Sequence, residues 1–149
     1  MIASKPNRIE RVKNIVKGRL CEYYESLERV DDIEQHITEL RQDYSDIHAV
    51  RYDRSPEEKT TAGMTRDQLM VHMTSTIMDL ENEQRFYLMK ANRLKTELHL
   101  DDLTQTEKRV LEAVYSTRTY EDAGERTGYS IKQIYRIMCQ IYREMERYI

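Results

Sequence analysis

The chain has 149 residues, of which 34% are charged, with a mean hydropathy of -0.83, no Trp, one Phe, two Pro and four Gly. That balance belongs to long helices with much solvated surface and predicts an all-α fold of single-domain size. No apolar run approaches the roughly 20 residues of a bilayer span, and the first 20 residues lack a signal peptide's apolar stretch and cleavage site, so a soluble intracellular protein with no membrane partner is expected. The formal charge of -3 and pI of 5.9 argue against nucleic-acid binding through bulk charge, so any such site must be a local patch.

In chain order, the first 19 residues carry Lys5, Arg8, Arg11, Lys13, Lys17 and Arg19 against Glu10 alone. This basic end is either a phosphate-binding element or an ordinary solvated helix end. Gly18 is expected to weaken or bend the helix there. Tyr23, Leu27, Val30, Ile33, Ile37, Leu40, Tyr44 and Ile47 then recur at three- and four-residue steps, the period of a helix with one buried stripe. Residues 48–64 contain Pro56 and Gly63 among charged and small side chains, which predicts a mobile loop.

From Thr65 to Leu100 there is neither Pro nor Gly, and Met70, Met73, Ile77, Leu80, Gln84, Tyr87, Ala91, Leu94 and Leu98 follow a heptad. Such a pattern buries a narrow seam against another helix. Gln84 either fixes the register of that seam through a polar contact or marks where it opens. Two long helices joined by a loop predict an antiparallel coiled-coil hairpin, a stalk over residues 1–100. Two narrow seams make a thin core, so the stalk is expected to pair with a second copy as a homodimer. The alternative is an intramolecular bundle on which the terminal segment folds.

Residues 101–149 open with Asp101 and Asp102, adjacent acids of the kind that mark a solvated boundary. Three helix starts follow from capping chemistry, in which a side-chain oxygen accepts from first-turn N–H groups: Thr104 with Glu107, Thr119 with Asp122, and Ser130 with Gln133. The first helix turns Val110, Leu111, Val114 and Tyr115 inward, with Leu103 as a hydrophobic staple. The third turns Ile134, Ile137, Met138, Ile141 and Met145 inward. Between the short second helix and the third, Gly128 suits a left-handed turn, and Gly124 suits a close helix approach. This spacing predicts a helix-turn-helix domain.

The run YEDAGERTGYSIKQIYRI, with LTQTEKRVLEAVY before it, resembles the helix-turn-helix of sigma-factor region 4, and the likeness covers nearly all of residues 103–149. With a helical stalk ahead of it, the YSIKQIYRI part is similar to phage and prophage late-transcription regulators of the ArpU/RinA type. Thr127 stands where that family usually has Leu, and Gly124 where Ala is usual, which predicts a weakened second helix. The resemblance implies a sequence-specific DNA-binding regulator, an activator of late genes, working in the cytoplasm of a bacterial host.

Lys132, Arg136 and Arg143 occupy the face of the third helix away from Ile134, with Gln133 and Gln140 beside them and no acid from Ser130 to Arg143. A recognition helix enters the major groove with such a face. There Gln133 can pair with adenine, and Lys132 or Arg136 can pair with guanine or hold a phosphate. The rival reading is that Gln133 only closes the cap with Ser130. Arg118 and Thr119 stand where phosphate meets a helix start, and Tyr135 is placed to touch the nucleic-acid backbone. Double-stranded DNA is therefore the expected partner. Two other readings are a sigma-like adaptor for RNA polymerase and an oligomeric packaging protein of the small-terminase kind. Cys21 and Cys139 lie too far apart for a ligand pair, the four His are scattered, and no phosphate cradle or nucleophile–base pair stands out. No metal, cofactor or enzyme activity is expected.

Overall fold

The computed structural model describes residues 7–49 and 65–149, side chains from 47 to 49 excepted, and it is all-helical. Helices α1 (Arg8–Ala49), α2 (Arg66–Glu97), α3 (Gln105–Thr117), α4 (Tyr120–Thr127) and α5 (Ile131–Glu146) follow one another, with a 3-10 turn at Leu100–Asp102 before α3. Each helix starts on a side-chain cap. Asn7 accepts from the Glu10 N–H at 2.8 Å, and Thr65 accepts from Gln68 N–H at 3.2 Å. Thr104 and Ser130 form capping boxes with Glu107 and Gln133, and Thr119 accepts from Asp122 N–H at 3.1 Å. The three caps expected in the terminal segment are therefore all present. Each satisfies N–H groups that have no partner inside the helix, a contribution of about 1 kcal/mol.

Gly18 neither ends nor interrupts α1, which runs through it, and a methyl group there would meet nothing within 4 Å. The loop expected over 48–64 falls, from residue 50, outside the described residues, as does the side chain of Ile47 in the α1 stripe.

The chain divides into two compact units, one formed by the residues up to Ser26 with Lys90–Ile149, the other by Leu27–Met89. In the second unit α1 and α2 are linked by ion pairs, Arg29 bonding Glu83 at 2.9 Å and Arg41 bonding Glu81 at 2.8 Å. Ile33, Ile37 and Met73 are buried in this unit. Gln84 is half-buried and donates its side-chain amide to Glu34 Oε2 at 2.7 Å and to the Val30 carbonyl at 3.4 Å. A polar seam residue that bonds across to the opposite helix favours one register over its slipped alternatives.

The first unit holds the larger core. Leu98, Leu100 and Leu103 from the α2–α3 connection meet Val110 and Leu111 of α3 and Ile134, Met138, Ile141 and Met145 of α5. Burying each such side chain contributes about 1.5–3 kcal/mol. Val16 and Leu20 of α1 complete this core with no exposure at all. In this unit the start of α1 and the end of α2 are gathered with α3, α4 and α5. The cause is visible in the residues: Val16 and Leu20 continue the Tyr23–Leu27 spacing backwards into the basic stretch. Tyr24 stacks on Tyr115 with ring centroids 5.1 Å apart, and Tyr148 stacks on His99 at 3.7 Å.

Candidate nucleic-acid interface

Two glycines and one hydroxyl shape the connection between α4 and α5. Gly128 adopts φ 81°, the left-handed conformation that ends α4, and its N–H bonds the Gly124 carbonyl at 2.8 Å. At Gly124 a Cβ would lie 2.7 Å from the Tyr129 carbonyl oxygen, so this approach admits only glycine without a backbone shift. Thr127 is buried, and its hydroxyl donates to the Ala123 carbonyl at 2.7 Å, which satisfies the polar atom it brings into the interior. Ala123 below it has no exposure, and α4 keeps its full eight residues.

From this support α5 projects an exposed cationic face. Ile134, Met138, Ile141 and Met145 are anchored in the core, while Lys132, Arg136, Arg143 and Arg147 are exposed. The positions 132, 136, 143 and 147 recur at helical spacing and therefore share one side of the helix. Lys132, Tyr135, Arg136 and Arg143 line an open groove of about 530 Å³ together with Cys139, Gln140, Glu144 and Arg147. Lys132, Arg136 and Arg143 take part in no ion pair among the described residues. Arg126, by contrast, is tied to Ser116 Oγ at 2.7 Å and faces Glu112 at 3.8 Å.

Glu144 is the acid of this groove. Partial burial, and after it the neighbouring Glu107 carboxylate, push the Glu144 carboxyl above the usual carboxylate range. Glu107 is itself buried, with Oε1 accepting from Thr104 N–H and Oε2 without a partner among the described residues. Tyr142 is 7% exposed and shares a hydrogen bond with Tyr115 at 3.1 Å, and burial raises both phenols.

Of the residues singled out in the sequence, Lys132, Tyr135, Arg136 and Arg143 are brought together in the groove. Tyr135 is 58% exposed and stands edge-on to Tyr120, 6.4 Å between centroids. Ser130 and Thr119 are engaged as caps outside the groove. Gln133 is exposed, but its amide oxygen accepts from Ser130 N–H at 2.9 Å. The capping role thus describes its position here, and a two-bond pair with adenine requires it to leave the cap. Arg118 ends α3 in a left-handed conformation, φ 67°, with an exposed side chain and its N–H on the Val114 carbonyl. Arg147 is a groove residue absent from the sequence-based expectation, although it stands four residues beyond Arg143 on the same face.

Among the described residues no three His, Cys, Asp or Glu side chains converge as metal ligands, and no helix is long and apolar enough to cross a membrane. Cys21 is exposed and Cys139 half-buried, and the two are not bonded to each other. No family model matches the sequence, and no curated protein or solved structure gives a match.

Proposed function

We propose that the protein is a sequence-specific DNA-binding transcriptional regulator in which α4 and α5 act as a helix-turn-helix and α5 enters the major groove. The observation that carries this reading is the cationic face of α5, without an ion pair at Lys132, Arg136 or Arg143 among the described residues, backed by core side chains and free of acids from residue 126 to 143. A helix about 10–12 Å across fits a major groove about 12 Å wide. Lys132 and Arg136, in the first two turns, are placed to meet base edges, and Arg143 and Arg147 to meet phosphate. Arg118 and the start of α4 at Thr119 add a second phosphate contact. The resemblance of residues 103–149 to sigma region 4 and to the ArpU/RinA regulators supports a late-gene activator in a bacterial cytoplasm. Selection from random duplexes tests the reading. A single enriched motif is expected, bound with an affinity that falls as salt rises by a log–log slope of about -0.9 per phosphate neutralised. Absence of any enriched duplex, together with capture of RNA polymerase, transfers the function to a polymerase adaptor.

Dimerisation belongs to the same proposal. On α2, Val71, Met78, Phe86 and Met89 are 59–72% exposed and lie on the side away from the seam. A second copy fits this stripe in an antiparallel pair centred on Asn82, which sets Met78 against the partner's Phe86 and Asp79 against the partner's Arg85. Light scattering is expected to give twice the chain mass. A ring-sized mass points instead to a packaging assembly, and a monomer removes this interface.

A further inference from the structure

Lys13 and Lys17 of α1 sit beside α5: their Nζ atoms lie 5.8 Å and 5.4 Å from the centre of the Tyr142 ring. Tyr142 is on the flank of α5, next in sequence to Arg143 and one turn from Cys139, both of which line the cationic groove. The α1 segment is held there by Val16 and Leu20, buried in the same core as Ile141 and Met145. From residue 11 to 21 this segment carries no acid, and α5 carries none before Glu144. Two acid-free, cation-bearing helix segments are therefore fixed side by side.

We infer that Lys13 and Lys17 form a second phosphate-binding site, which clamps one strand of the duplex whose major groove α5 occupies. The inference rests on the DNA-binding reading. A helix seated in a groove about as wide as itself has a phosphate strand along each flank. Lys13 and Lys17 stand on the Tyr142 flank, one helical turn apart, so their ammonium groups follow the strand rather than the base pairs. The ligand is the phosphodiester backbone, and the site contributes affinity without sequence information. Cation–π contact with Tyr142 holds the lysine stems in place while leaving the ammonium hydrogens to bond phosphate oxygens.

The test compares three double variants with the parent chain on cognate and scrambled duplexes across a salt series. Lys13→Gln with Lys17→Gln is expected to weaken both duplexes alike and to make the log–log slope shallower by about 0.9 for each phosphate no longer neutralised. Lys13→Arg with Lys17→Arg is expected to keep the slope. Arg8→Gln with Arg19→Gln removes the same charge from the opposite edge of α1, eleven residues or about three turns apart, and is expected to leave the slope near the parent value. An unchanged slope in the lysine-to-glutamine variant, with parent binding intact, overturns the site. An equal loss in the Arg8 and Arg19 variant reduces it to bulk charge and overturns it too. A parent chain that binds no duplex at any salt overturns the DNA-binding reading, and this inference with it.

Discussion

Arg118 and Gly124 are two positions where backbone geometry decides what a side chain costs. Arg118 holds φ 67° at the end of α3, a conformation that costs a residue with a Cβ about 1 kcal/mol and costs glycine little. Arg118→Gly is therefore expected to stabilise the fold by about 0.5–1 kcal/mol while weakening duplex binding through the missing guanidinium. Thermal melts and a binding titration on one preparation check both. A drop in melting temperature contradicts the strain argument. The opposite is expected of Gly124→Ala, whose new methyl group would meet the Tyr129 carbonyl at 2.7 Å. A loss of about 1–3 kcal/mol is expected in chemical denaturation, as in other overpacked sites. Glu144 supplies a pH effect. Its raised carboxyl means that the folded state disfavours the ionised form, so its contribution to stability is present at low pH and is lost as pH rises through the folded-state value. Glu144→Gln is expected to raise stability at pH 7 by roughly 0.5 kcal/mol, discounted for partial exposure. The advantage should vanish as both curves approach the ordinary carboxylate range. An advantage that grows on acidification contradicts this sign.

The helices themselves are the most legible part of the chain. Capping pairs at a spacing of three mark the starts of α3, α4 and α5, because the chemistry is local and leaves its residues in the sequence. Gly128 is legible for the same reason: only a left-handed residue ends a helix so sharply and starts another three positions on. The heptad of α2 also carries through to the buried Met73, Ala91, Leu94 and Leu98. Less legible is the start of α1, where charge masks periodicity. Its lysines and arginines draw attention to the surface, yet Val16 and Leu20 between them are fully buried. The core that they enter is built from residues 98–145, some eighty to more than a hundred positions away, and no local pattern names it. Gln133 is ambiguous for a related reason. The capping box and the base-reading role demand the same residue type at the same place, and only the folded chain shows its oxygen on Ser130 N–H.

Across the molecule, one end of α1, one end of α2 and the three terminal helices share a core, and α5 gains its rigidity from that shared packing rather than from its own length. The helix that carries the exposed cations is thereby anchored by its opposite face, the support that the proposed base reading requires. An acidic chain can carry such an array because the acids are concentrated elsewhere, in α1 beyond Glu22 and in α2. The most direct measurement of that claim is a titration of Arg136→Ala and Arg143→Ala against the enriched duplex and its scrambled counterpart at fixed salt. Neither residue caps a helix or enters the core, so both variants should melt as the parent does. Arg136→Ala is expected to lose about 1–3 kcal/mol on the enriched duplex and to relax preference at one base pair, and Arg143→Ala to weaken both duplexes alike. Unchanged affinity of both variants for the enriched duplex would contradict the assignment of α5 as the reading helix.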